Sequence, residues 1–242
     1  VYLTWLQCGY WKNSLELWNH AINVHEDNHV EARDQDFVMD AGGNINANFH
    51  RMNGIGIRPE TVLYYNRGNA FARMRQYQLA MEDYNQSIRL QPNFAPAYFN
   101  RGNIYKDMGQ YQLAIKNYII NIQLCPECID AYDQLGIVYG KLDQYQPALQ
   151  IFNKVLSMKP DDHTAYNGRG IIYFKLGLYE QAMENLNYAI RIKPDFTDAY
   201  NNKALIHFAQ NSKVLGCSYA RKACSLGVCT TLEAAKSKGD CI

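Results

Sequence analysis

Four stretches of this sequence superimpose without a gap: "TVLYYNRGNAFARMRQYQLAMEDYNQSIRLQPNF" (61–94), "APAYFNRGNIYKDMGQYQLAIKNYIINIQLCPEC" (95–128), "IDAYDQLGIVYGKLDQYQPALQIFNKVLSMKPDD" (129–162) and "HTAYNGRGIIYFKLGLYEQAMENLNYAIRIKPDF" (163–196). Each begins 34 residues after the one before, and a looser fifth copy begins at 197. A period of this length means a unit too small to bury a core alone, stacked on its neighbours. Within the copies, Tyr64, Gly68 and Phe71 fall at i, i+4 and i+7. So do Tyr98, Gly102 and Tyr105, then Tyr132, Gly136 and Tyr139, then Tyr166, Gly170 and Tyr173. That spacing draws one apolar stripe along a helix. A second stripe follows at Tyr77, Ala80 and Tyr84, repeated as Tyr111, Ala114, Tyr118, as Tyr145, Ala148, Phe152 and as Tyr179, Ala182, Leu186. The glycine lets a partner helix come close, and the small alanine is expected to face it. Pro92, Pro126, Pro160 and Pro194 stop the second helix, which proline cannot continue.

The repeat length and these Tyr, Gly, Ala and Pro positions resemble the tetratricopeptide repeat family across four consecutive units. The resemblance implies an all-α fold, a right-handed superhelical solenoid of antiparallel helix pairs with a C-terminal capping helix. The expected units are 61–94, 95–128, 129–162, 163–196 and 197–228, with the cap over 229–242. The fifth unit departs from the pattern: Ala204 stands for the glycine, His207 for the tyrosine and Gly216 for the alanine, and the proline is missing. The end of an array meets solvent instead of a neighbour, so such departures are expected there.

The two ends carry further signals. Residues 1–28 read as a partial first unit. Trp18 and Ala21 fall on the second-helix frame, which makes 11–25 a second helix whose first helix lies largely before Val1. Residues 29–60, rich in glycine and asparagine, lose the pattern and are expected to form a degenerate repeat or a loop insertion. At the other end, Thr230 and Glu233 have capping-box spacing, and Lys236, Lys238 and Gly239 suit a helix end. Four of seven cysteines, Cys217, Cys224, Cys229 and Cys241, lie in the last 26 residues. Such clustering suggests stapling in an oxidising compartment. Cys217 and Cys224 are seven apart on one helix, roughly 10 Å by the helical rise, too far to bond each other. Each is therefore expected to pair with Cys229 or Cys241. Cys125 and Cys128 form a lone CxxC in an inter-repeat turn, where a local disulfide or two plain thiols are the alternatives.

Composition narrows the function. There are 24 basic and 23 acidic residues and a net charge of +1, so no basic face for nucleic acid is expected. No apolar run approaches a membrane span. The six histidines have no suitably spaced Cys, Ser or carboxylate partner, so no nucleophile, metal or cofactor set is expected. What remains is binding. On the first helices, residues beside the packing stripe point into the expected groove: Tyr65, Asn66, Asn69 and Arg73; Phe99, Asn100, Asn103 and Lys106; Gln134 and Lys141, with Asp133 and Ile137; Asn167 and Lys175, with Ile171; and Asn202.

Asn66, Asn100, Gln134 and Asn202 occupy one equivalent position, and side-chain amides both donate and accept hydrogen bonds. The row resembles the asparagine ladder in the repeat region of the O-linked N-acetylglucosamine transferase. The resemblance implies a protein or peptide partner held in extended form. Arg73, Lys106, Lys141 and Lys175 would make the groove mildly basic, whereas Arg67, Arg101 and Arg169 are expected between repeats, with stems packed and heads paired. Asn69 and Asn100 match the two asparagines of the family's carboxylate clamp. The clamp's cationic positions hold Tyr65, Asp130 and Gln134, so no such clamp is expected.

"WKNSLELWNHAI" (11–22) resembles the junction that follows the last membrane helix in polytopic glycosyltransferase-like proteins of bacteria. It implies a soluble, extracytoplasmic (periplasmic) domain of a larger membrane protein, attached through an N-terminal region outside this sequence. The alternatives are a free-standing scaffold for an envelope or secretion complex, and a cytoplasmic scaffold.

Overall fold

The computed structural model describes residues 57–241 together with Trp18, Asn19 and Ala21–Asn23. The expectations for the rest of 1–56 lie outside the described residues. Among the described residues every regular element is a helix. The chain divides into two units, Val1–Pro126 and Glu127–Ile242.

The first unit contains the helical residues Trp18, Asn19 and Ala21–Asn23. It continues with α1 (Pro59–Arg73), α2 (Tyr77–Leu90), α3 (Ala95–Asp107) and α4 (Tyr111–Leu124). The second contains α5 (Ile129–Lys141), α6 (Tyr145–Met158), α7 (His163–Lys175), α8 (Tyr179–Ile192), α9 (Thr197–Ala209), α10 (Lys213–Ser225) and α11 (Thr230–Ser237). The helix pairs expected from the two stripes are all present. In each unit a first helix packs on its own second helix, and that second helix packs on the next first helix.

Local chemistry sets the boundaries. The second helices of the first four pairs each close one residue before the residue that precedes a proline. Gln91, Cys125, Lys159 and Lys193 leave helical geometry with φ between −130° and −142°, because the proline ring disfavours α geometry just ahead of it. Between the two helices of each pair the chain turns through a left-handed residue. Gly109 and Gly177 hold it in two pairs, and Arg75, Asp143 and Asn211 in the other three, with φ of 59°, 56° and 59°. An arginine gains nothing there to offset its Cβ clash, and Arg75 is exposed. Arg75→Gly is therefore expected to raise the unfolding free energy by about 0.5–1 kcal/mol, read from the urea midpoint at unchanged slope.

The glycine of each first helix does not chiefly face the alanine, contrary to expectation. A Cβ on Gly68 would lie 2.8 Å from the ring of Tyr84, on Gly102 2.8 Å from that of Tyr118, and on Gly136 2.8 Å from that of Phe152. These rings are at most 1% exposed. The first helix lacks a side chain because the second helix fills that space with a large one. The alanines Ala80, Ala114, Ala148 and Ala182 are fully buried elsewhere in the same cores.

Trp18 and Ile22 are buried with Leu63 of α1. Asn19, next to Trp18, accepts from Arg67 Nη1 at 3.1 Å. Asn85, next to Tyr84, accepts from Arg101 Nη1 at 2.7 Å, and Asn153, next to Phe152, from Arg169 Nη1 at 2.8 Å. Trp18 thus stands before α1 as Tyr84 stands before α3.

The capping box at 230 does not form. Cys229 occupies the N-cap without a side-chain hydrogen bond, and Thr230 is already helical. The disulfide at Cys229 fixes the entry to α11, one residue earlier than the threonine would. Two bonds join α10 to the tail, Cys217–Cys241 and Cys224–Cys229. Cys125 and Cys128 are disulfide-bonded as well.

Candidate peptide-binding face

The arginines that precede the repeat glycines form a polar seam through each unit. Arg67 donates through Nε and Nη2 to both oxygens of Asp83, at 2.8 and 2.7 Å. Arg101 and Arg169 make the equivalent Nε bond to Asn117 and Asn185, at 2.8 and 2.7 Å. Their other arm reaches the preceding pair, and the guanidinium planes lie over Tyr64, Tyr98 and Tyr166. Lys203 replaces the arginine in the fifth pair and donates to Asn187 at 2.7 Å. With donors used and stems covered, these cations hold pairs together and leave little for a ligand.

The amides of the groove row are also engaged inward. Asn100 Nδ2 donates to Tyr65 Oη at 3.0 Å and to Asn69 Oδ1 at 2.7 Å. Asn202 Nδ2 donates to Asn167 Oδ1 at 2.9 Å. Side chains of the preceding pair therefore take the hydrogens that a peptide carbonyl was expected to take. Asn66 is different: its Nδ2 is buried and has no hydrogen-bond partner. Burial raises the pKa of Tyr65, against the lowering effect of bonds to Asn69 and Asn100.

A second pattern escaped the sequence reading. Tyr84 donates its hydroxyl hydrogen to Asn69 Oδ1, and Tyr118 donates to Asn103 Oδ1, both at 2.8 Å. Where the ring position carries no hydroxyl, at Phe152 and Leu186, the facing position carries no amide but Ile137 and Ile171. A buried hydroxyl without an acceptor is costly, so hydroxyl and amide are kept or lost together. The signal was present in the sequence as a co-variation between repeats. It predicts that Tyr118→Phe or Asn103→Ile alone costs about 1–2 kcal/mol, while the double replacement is close to neutral. A double-mutant cycle by urea denaturation reads the coupling.

The basic row is weaker than its sequence suggests. Lys175 lies 3.4 Å from Asp143, and Lys106 lies 3.9 Å from Asp107. Arg73 and Lys141 are exposed, Phe99 and Gln134 half-buried. Asp133, at the position of Tyr65 and Phe99, is only 4% exposed, and its Oδ1 has no hydrogen-bond partner. Burial first, and then the charges of Asp162 and Asp130, push its pKa up to about 7 against the opposing pull of Lys159. Asp162 itself is committed to the N-terminus of α7, accepting from the amides of Thr164 and Ala165 at 2.9 Å.

Among the described residues no three His, Cys, Asp or Glu side chains gather as a metal site, and no helix is long and apolar enough to cross a membrane.

Models of the tetratricopeptide repeat match residues 62–94, 93–161 and 135–207. No curated protein matches the sequence. Several solved structures are similar. MamA residues 41-end from Desulfovibrio magneticus RS-1 is 20% identical, with 71% of this chain and 97% of that one covered at a TM-score of 0.61. PilW, described as a widely conserved type IV pilus biogenesis factor, is 18% identical, with 76% and 88% covered at 0.66. YrrB, described as a TPR protein with an unusual peptide-binding site, is 20% identical, with 79% and 98% covered at 0.54. At these identities the likeness concerns the fold. Together with the family matches over 62–207 and the helix pairs described above, it shows a non-catalytic interaction module: the chain belongs to the tetratricopeptide repeat family.

Proposed function

We propose that this chain holds an extended segment of a partner protein on the first-helix face of its repeats, and that it works outside the cytoplasm as the soluble part of a larger membrane protein. The observation that carries the location is the oxidation of Cys125, Cys128, Cys217, Cys224, Cys229 and Cys241, since cytosolic thiols are kept reduced. The resemblance of 11–22 to the junction of glycosyltransferase-like membrane proteins supports the membrane-bound parent, whose chemistry would lie in that other part. For the binding face, Arg73 offers an exposed cation. In the first unit the half-buried Phe99 lies on the same first-helix face, and in the second unit the exposed Lys141 and half-buried Gln134 do. Asn69, Asn100, Asn103, Asn167 and Asn202 contribute what their internal hydrogen bonds leave over.

The second reading is a free-standing scaffold for an envelope or secretion complex. The structural neighbour PilW, described as a type IV pilus biogenesis factor, suggests it.

The experiment is crosslinking of the oxidised chain in a bacterial envelope extract, followed by affinity measurement with each captured protein. Arg73→Ala should weaken binding several-fold at unchanged stability. Asn100→Ala is a poor probe, because it also removes two hydrogen bonds of the fold. Unchanged affinity for every captured protein would remove the face from consideration.

A further inference from the structure

Eight of the eleven large apolar side chains exposed among the described residues lie at one kind of position. Met74, Met108, Leu176 and Leu178 are in the turns inside helix pairs. Leu79, Leu113, Val214 and Leu215 are in the first turn of the helix that follows. Single exposed apolar residues are ordinary, but here they are gathered. Each second helix doubles back on its first and packs on the next first helix, so the turns of one unit lie along one edge of it.

Cations accompany them. In the first unit Met74 stands between the exposed Arg73 and Arg75, and Lys106 precedes Met108 by two residues. Over 73–79 and 106–113 there are three cations and one acid, Asp107. The second unit has the larger apolar part, with Lys175 before Leu176 and Lys213 before Val214. There Asp143 lies 3.4 Å from Lys175 and Asp240 2.6 Å from Lys213.

Two of these residues break the pattern of the repeat. Arg75 is left-handed where Gly109 and Gly177 stand in other pairs, and nothing in the fold offsets its Cβ clash. Strain kept at an exposed position points to a contact made outside the chain. Val214 is 84% exposed, and its position in the other second helices holds Gln78, Gln112, Gln146 and Glu180. A polar residue serves the fold there.

We propose that the turn edge of each unit rests on an anionic lipid bilayer, with its apolar tips in the headgroup region and its arginines and lysines against lipid phosphates. Apolar side chains flanked by Arg and Lys have the composition of an interfacial anchor, and each cation near an anionic leaflet adds attraction. The side chains project from turns, and a fluid layer closes round each of them. Unbranched methionine adapts to such a layer. This inference shares with the proposed function only the setting beside a membrane, and it needs no partner protein.

The test sediments the oxidised full chain with vesicles of phosphatidylglycerol and phosphatidylethanolamine, and with phosphatidylcholine vesicles at equal lipid. Expected is binding to the anionic vesicles that weakens as salt rises and is roughly tenfold weaker on phosphatidylcholine. Met74→Gln/Arg75→Gly and Val214→Gln/Leu215→Gln should each reduce partitioning about fivefold or more. Each new residue already stands at the same position of another repeat, as Gln210, Gly109, Gln78 and Gln181, so the fold accepts it. Arg75→Gly is expected to raise the urea midpoint, so lipid binding lost without loss of stability separates the edge from folding. Arg73, which borders both edge and groove, stays in place, so Arg73→Ala judges the peptide face separately. No binding to anionic vesicles, equal binding to phosphatidylcholine, or full binding by both variants would overturn the proposal. A single variant that binds like the parent removes the edge of its unit. Release by excess glycerol phosphate would overturn the bilayer in favour of a free phosphate. Capture of an acidic protein through the same residues, without vesicle binding, would overturn it in favour of a protein.

Discussion

Phe152→Ala is expected to lower the unfolding free energy by about 3–5 kcal/mol, the usual cost of emptying a buried aromatic site. The ring is 1% exposed. It fills the space left by two glycines: a Cβ on Gly136 would lie 2.8 Å from it, and one on Gly168 2.4 Å. The same geometry makes Gly136→Ala unfavourable by about 1–3 kcal/mol, since a methyl group must displace a ring that has nowhere to move. The two effects should not add. In the fifth repeat, Ala204 occupies the place of Gly136 and Ala220 the place of Phe152, both fully buried. The doubly substituted pair thus already occurs once in this chain. Gly136→Ala/Phe152→Ala should cost less than the sum of the singles by roughly 1 kcal/mol or more, because the new methyl enters the cavity. Urea denaturation of the four proteins of the cycle measures this; strict additivity would mean that ring and glycine do not compete for one space.

The second large effect concerns Asp133 and pH. Its carboxyl has a folded pKa of about 7, against about 3.9 for an unfolded aspartate. Between these values the folded chain holds a proton that the unfolded chain has lost. Stability contributed by the neutral form is therefore greatest at the acid end of this window. It declines as pH rises from about 4 to about 7 and is gone above that, where a buried carboxylate must be tolerated. The span is on the order of 2–4 kcal/mol. Asp133→Asn removes the titration. The equivalent positions of the next two repeats already carry Asn167 and Asn201, so an amide fits this place in the helix pair. The variant is expected to melt roughly 5 °C higher than the parent at pH 8 and to match it near pH 4. A parent whose melting temperature is flat between pH 5 and 8 would show that Asp133 is solvated enough to ionise freely.

The helix pairs, their period and their stops were legible in the sequence because each rests on short-range physics. A stripe at i, i+4, i+7 needs a helix, and a proline ends one. The staples were partly legible, since the rise of a helix separates Cys217 from Cys224. Which of the two met Cys229, and which Cys241, depended on where α11 lies. The partner of the repeat glycine was not legible. Glycine and alanine are both small, and only packing shows that the space beside Gly136 belongs to Phe152 and not to Ala148. The role of the asparagines was hidden for a similar reason. An amide beside the packing stripe reads as a ligand contact, yet Asn69 lies within 2.8 Å of a buried tyrosine hydroxyl, which has first claim on it.

The sequence alone therefore determined the architecture: a run of antiparallel helix pairs of fixed length with a short helix at the end, because periodicity and helix termination act over a few residues. Only the tertiary structure decided what each polar side chain does. It turned Asn100 and Asn202 inward, paired Arg101 with Asn85 and Asn117, left Asp133 buried without a partner for Oδ1, and placed α11 over Ala204 and Ala220. Those outcomes depend on which groups lose water together, and residues far apart in the chain meet only after it has folded.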